Sequence, residues 1–156
     1  MNFSRKMDEL CHSLAISQAR IFERSIEDEI PSYFFIRSYM TSNEVRFVDE
    51  LDLERSGLNE LEIYESIKNR IKTRNGELLP YPVMHFIGYF YRSAAYLTKL
   101  NSKFLFENIS PKYLLTNYET LHSLPIEEAI KEAIEIFKLE TKSKEELFIE
   151  IYKTIK

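Results

Sequence analysis

The stretch Pro82-Val83-Met84-His85-Phe86-Ile87-Gly88-Tyr89-Phe90-Tyr91-Arg92-Ser93-Ala94-Ala95-Tyr96-Leu97-Thr98-Lys99 decides the fold class. Plotted at 100° per residue, Val83, Phe86, Ile87, Phe90, Ala94 and Leu97 gather on one side. That periodicity predicts a helix with a strong core face. His85, Tyr89, Arg92, Tyr96 and Lys99 fall on the opposite side, within a sector of about 80°. Ordinary surface helices carry Glu and Lys there. Large amphipathic rings with two cations and an imidazole admit two explanations. In one, the helix is central and packed on both sides, its hydroxyls and Arg92 satisfied by neighbouring backbone and acidic groups. In the other, these five residues form an exposed interaction face, because Tyr and Arg concentrate binding energy at protein interfaces.

Helical signals continue on both sides of this segment. Phe3, Met7, Leu10, Leu14 and Ile21 recur at helical spacing from Asn2 to Arg24, and Ile30-Pro31 breaks the run. Ser32 to Met40, dense in aromatic residues, is read as a packed helix with a strand as the alternative. Ser42 caps a short helix to Leu51, followed by an irregular link from Asp52 to Gly57. Asn59 and Glu62 form a capping-box pair ahead of a buried stripe of Leu61, Tyr64, Ile67 and Ile71. Asn75-Gly76 is expected to end that helix. Ser102 to Ile109 is read as one short turn of helix. Ser110-Pro111 starts a helix bearing Leu114, Tyr118 and Leu121, and Pro125 opens another with Ile126, Ile130, Ala133 and Phe137 on one face. Ser143 and Glu146 suggest a last helix that either docks on the core or projects from it as a partner-binding arm. No internal repeat or linker interrupts the chain. The expectation is an all-α fold, one compact bundle of six to seven helices, with residues 1–156 as a single domain.

Composition narrows the function classes. With 156 residues, 44% hydrophobic and 29% charged, the chain has the make-up of one ordinary globular domain. Three glycines are too few for a turn-rich sandwich or barrel, and they leave no phosphate-cradling loop. Cys11 is the single cysteine, so no internal disulfide forms. Arg5, Lys6, Asp8 and Glu9 interrupt the apolar start that a signal peptide needs. No apolar run reaches the ~18 residues of a membrane span. A cytoplasmic location is the default expectation.

No constellation of catalytic or metal-ligating type stands out. Cys11 and His12 are adjacent and diverge on a helix, His85 has Tyr89 one turn later, and His122 stands beside Ser123, so no metal site or other cofactor is expected. His122, with Tyr118 four residues before it, is either an acid–base pair or a ring stack at a helix end. A small hydrolase or nuclease would therefore centre on His122, His85 and Arg92, and would require them to converge on one pocket. The net charge of -4 disfavours nucleic acid, which needs a concentrated basic surface. Lys68, Arg70, Lys72 and Arg74 supply the one candidate. They close a helix that opens with Glu60, Glu62 and Glu65, the order the helix dipole favours in any case.

Two stretches carry a resemblance. The first is Phe35-Ile36-Arg37-Ser38-Tyr39-Met40 followed by Val45-Arg46 and Asp49. The second is Ile87-Gly88-Tyr89-Phe90-Tyr91-Arg92, continued by Tyr118-Glu119-Thr120-Leu121-His122 and Glu127-Glu128-Ala129-Ile130. Over residues 30–130 the chain resembles a group of small uncharacterised helical proteins of low-GC Gram-positive bacteria. Their genes lie in short operons and mobile elements beside small ADP-ribosyltransferase-like toxins. The resemblance implies a partner or antitoxin role and lends no catalytic residue.

The leading expectation is thus a protein-interaction module, of antitoxin type, that neutralises a toxin encoded nearby or else forms a homo-oligomer. An acidic surface suits masking a basic partner. The alternative is a transcriptional regulator using residues 42–74 as a helix-turn-helix on DNA, and the third is the hydrolase or nuclease.

Overall fold

Asp8 starts the first helix, its carboxylate accepting a hydrogen bond from the Cys11 amide at 2.8 Å. The computed structural model describes residues 2–139 together with Ile149, Tyr152 and Lys153. Helix α1 (Glu9–Glu27) therefore begins later than the apolar spacing from Asn2 implies, and residues 2–8 are non-helical, with the Arg5 amide donating to the Leu97 carbonyl at 3.1 Å. The break at Ile30-Pro31 falls where expected, with Glu29 at a left-handed φ of 56°. Helix α2 (Ser32–Met40) occupies the whole aromatic run, which removes the strand alternative. Phe22, Phe35, Tyr39 and Tyr64 pack there as edge-on, stacked and tilted rings with centroids 5.2–5.8 Å apart. Burying each ring fully contributes about 1.5–3 kcal/mol.

Helix α3 (Asn43–Asp49) is capped by Ser42, as its sequence predicts. The link that follows is not irregular throughout. It holds a single turn, α4 (Leu53–Ser56), closed by Gly57 in the left-handed conformation at φ 70°. Helix α5 (Glu60–Arg70) has the expected box, with Asn59 and Glu62 each bonded to the other's amide. It ends sooner than Asn75-Gly76 suggests, because Ile71 turns extended to stay buried. Its inward face is Ile63, Tyr64 and Ile67, whereas Leu61 is half exposed. Of the stripe read in sequence, Tyr64, Ile67 and Ile71 are buried as expected, and Ile63 takes the inward place of Leu61.

Helix α6 (Tyr81–Thr98) is the axis of the molecule. Fourteen of its eighteen residues are buried, so it is covered nearly all round, as a central helix must be. Helix α1 lies antiparallel along it. Gly88 makes that approach close: a Cβ there would stand 2.9 Å from the Phe22 ring and 3.0 Å from the Ala19 Cα. Gln18 adds a hydrogen bond from its amide to the Gly88 carbonyl at 3.0 Å.

Helices α7 (Ser102–Asn108), α8 (Pro111–Thr116), α9 (Tyr118–Leu121) and α10 (Ile126–Phe137) wrap the other side. Asn101 and Ser110 cap α7 and α8. Tyr91 donates its hydroxyl hydrogen to the Ile109 carbonyl and so ties that wrap to the axis. Ten helices stand among the described residues, against the six or seven expected. Part of the excess comes from α4 and from Asn117, whose φ of -105° splits the segment after Pro111 into α8 and α9. The all-α class stands. The last helix expected from Ser143 lies outside the described residues.

Candidate functional site

The polar side of α6 divides into two environments. Arg92 is 1% exposed. Its Nη1 donates to Asp49 Oδ1 at 2.7 Å, its Nε to Gln18 Oε1 at 3.0 Å and its Nη2 to Ser102 Oγ at 3.4 Å. Asp49 in turn accepts from the Ser102 amide and hydroxyl at 2.8 and 2.6 Å. One buried ion pair thereby joins α1, α3, α6 and the start of α7. Tyr96, 7% exposed, donates to Asp8 Oδ2 at 2.9 Å beneath the Arg5 guanidinium, 4.8 Å from the ring centroid. Lys99 forms the left-handed C-cap of α6 at φ 60°. The exposed-face expectation for His85, Tyr89, Arg92, Tyr96 and Lys99 is therefore corrected at Arg92 and Tyr96. Residues 2–8 cover Tyr96, and α1, α3 and the start of α7 enclose Arg92.

His85 and Tyr89, nearer the start of the helix, meet a different surrounding. Together with Tyr81, Pro82 and Phe86 they floor a cleft of about 710 Å³. Glu23 of α1 forms one wall, Tyr118 and His122 of α9 and its cap the other, and Leu124 and Ile126 close the end. The Tyr118 and His122 rings stack at 4.3 Å and 5°, while the Phe86 ring meets Tyr118 edge-on at 5.6 Å. Tyr89 accepts or donates one hydrogen bond with His12 Nδ1 at 2.8 Å. Burial pushes its phenol above the ordinary tyrosine value. All three histidines of the chain thus sit at or against this one region.

The hydrogen bonds fix which ring nitrogen faces a ligand. His122 Nδ1 lies 2.8 Å from the Tyr118 carbonyl, which only accepts, so Nδ1 carries the hydrogen. His85 Nδ1 is bonded to the Glu23 carboxylate, with the same consequence. In each neutral ring the free lone pair is on Nε2. The lining contains no lysine or arginine. It offers tyrosine hydroxyls, acceptors and aromatic faces.

No family model matches the sequence, and no curated protein or solved structure matches it either. The cleft has to speak for itself.

Of the hydrolase trio, the structure brings His85 and His122 into one cleft and leaves Arg92 sealed in its own network, so the three do not converge. The sequence reading overlooked Glu23 and Tyr81 and set His12 aside with Cys11. Glu23 has no local signal, since only the antiparallel packing of α1 on α6 carries it to His85. The basic cluster is spread rather than concentrated. Lys68 pairs with Asp28 at 3.4 Å, and Arg70 makes a two-pronged contact with Glu44. Asp28 and Glu44 are both held below their ordinary values, the first chiefly by the Tyr64 hydroxyl and then Lys68, the second by Arg70. Lys72 and Arg74 lie beyond the end of α5, and Arg74 bonds the carbonyls of Ile71 and Thr73 at 2.8 and 3.2 Å. Phosphates would have to displace carboxylates to reach the first two. Among the described residues no group of three or more His, Cys, Asp or Glu is placed to hold a metal ion, and no helix is long and apolar enough to cross a membrane.

Proposed function

We propose that this chain is a protein-interaction module and that it receives its partner in the cleft between α1, α6 and α9. The observation that carries the reading is the contrast along α6: the arginine and tyrosine near the helix end are consumed inside the protein, whereas the rings at its start line open concave space. A cleft of several hundred Å³ with aromatic walls and a few convergent polar groups is the usual form of a recognition site. Tyrosine, histidine and apolar side chains at its rim supply the anchoring surface that interfaces concentrate.

The antitoxin-type version, in which the partner is a toxin encoded nearby, draws its support from the sequence resemblance and the acidic balance of the chain. A hydrolase reading has one specific observation in its favour, the Glu23–His85 dyad beside His122, an arrangement that orients a general base. It lacks an electrophile-stabilising cation in the cleft, and Arg92 is unavailable to serve. Binding is the better-supported function.

Co-expression of the tagged chain with the product of the adjacent gene tests the proposal. A stoichiometric complex that Tyr118→Ala and His122→Ala abolish, with both variants folded, and that Lys72→Ala leaves intact, is the expected result. A complex indifferent to both cleft substitutions overturns the assignment of the site. Absence of any complex with that product counts against the antitoxin version.

A further inference from the structure

Four features of the cleft bear on what enters it. First, its formal charge at neutral pH comes from acid alone: Glu23 lines it and no lysine or arginine does. Second, a further carboxylate, Glu27, reaches the Tyr81 side chain at the mouth. The Tyr81 phenol is raised by desolvation, then by the charge and hydrogen bond of Glu27, and last by the charge of Glu23. These carboxylates, on the C-terminal half of α1, offset the positive dipole end that the start of α6 would otherwise present to an anion. Third, both cleft imidazoles spend their Nδ1 hydrogens on Glu23 and on the Tyr118 carbonyl, so the nitrogen left to a ligand is an acceptor. Fourth, Tyr81, Phe86, Tyr89 and Tyr118 surround the space with aromatic faces and edges. Negative ring faces, carboxylates and lone pairs all favour the same kind of guest.

We infer that the group inserted into the cleft is a partner's cationic side chain, an arginine or lysine flanked by apolar residues. This rests on the reading of the cleft as a protein-binding site and names the chemistry it recognises. The guanidinium or ammonium lies against the ring of Tyr118 or Tyr89 and donates to the Nε2 atoms and to Glu23. The flanking apolar residues cover Leu124, Ile126 and Pro82. An anionic or phosphate-bearing guest would face the Glu23 carboxylate with no lysine or arginine in the lining to offset it, and is rejected.

Heteronuclear NMR titration of the full chain with short capped peptides decides the matter. The probes are acetyl-Leu-Arg-Leu-amide, the same peptide with citrulline, which keeps the shape and loses the charge, and the same peptide with glutamate. The arginine peptide is expected to shift the amide signals of His85, Tyr89, Tyr118 and His122. Its affinity should exceed that of the citrulline peptide by about tenfold, the scale of a cation–π contact joined to an ion pair. Glu23→Gln, at a partly exposed position, should shrink that preference without unfolding the chain, as circular dichroism checks. Equal affinity for arginine and citrulline, with the shifts still in the cleft, overturns the cationic guest and leaves the cleft as the binding site. Stronger binding of the glutamate peptide overturns it likewise. Shifts confined to surfaces outside the cleft, or no shifts with any of the three peptides, defeat both readings together.

Discussion

Arg92 and His85 stand seven residues apart on one face of α6, two helical turns, and yet they live in opposite worlds. Each side-chain nitrogen of Arg92 has a partner, in Gln18, Asp49 or Ser102, and the residue is sealed from water. His85 has one nitrogen answered, by Glu23, and its side chain remains 40% exposed. The difference is in what lies opposite. At Arg92 the chain returns three times, as α1, α3 and the start of α7. At His85 only α1 returns closely, and α9 stands off across the cleft. A polar face on a helix is thus not a unit of function: the part covered from all sides holds the protein together, and the part covered from one side is left for something else.

The comparison can be broken most severely at the covered end. Arg92→Leu leaves Asp49 buried without a counter-ion, and thermal or denaturant unfolding should show a loss of about 3–5 kcal/mol. Adding Asp49→Asn should recover part of that loss. A double variant no better than the single one would mean that packing, not the stranded charge, sets the cost. Gly88→Ala tests the crossing that separates the two ends. Its Cβ meets backbone atoms of Gln18 and Ala19 at 3.0 Å, which cannot swing aside, and about 1–3 kcal/mol should be lost in equilibrium unfolding.

A smaller change of opposite sign is expected at Glu60, which accepts from Ser17 and is held above the ordinary glutamate value near 4.5 by burial, with Arg92 pulling the other way. Because the folded chain binds that proton more tightly than the unfolded one, the group weakens stability as pH climbs from about 4.5 through its raised folded value. Glu60→Gln should therefore be more stable than the parent at neutral pH and lose that part of the slope, with no advantage at pH 3. An unchanged profile would mean the carboxylate is solvated. At the open end, His122→Ala should move stability by no more than about 0.5 kcal/mol, since the ring is exposed. A larger loss would make the cleft a structural feature and erase the contrast.

The parts of this fold legible in sequence are those decided within a few residues. Ser42, Asn59 with Glu62, and Ser110 with Pro111 announce helix starts because a cap and the amide it satisfies are three residues apart. The Tyr118–His122 stack is legible for the same reason. The site depends on pairings 62 residues apart for Glu23 with His85 and 43 for Asp49 with Arg92. Helical periodicity states that a face is polar and is silent on which neighbour will cover it. Leu61 shows the same limit in reverse: it has the spacing of a core residue, and the angle at which α5 docks puts Ile63 inward in its place.

The close crossing at Gly88 also acts as a fulcrum. With no side chain on Gly88, α6 comes close to the backbone of Gln18 and Ala19 and to the Phe22 ring, and the Gln18 amide pins the contact. Glu23 and His85 lie on the lever arms just beyond it, so the gap between one wall of the cleft and its floor is set by this close joint. A guest meets a jaw already held at a fixed gape. Its recognition is governed by thickness as well as by charge, and little ordering of this side is left to be done when it arrives.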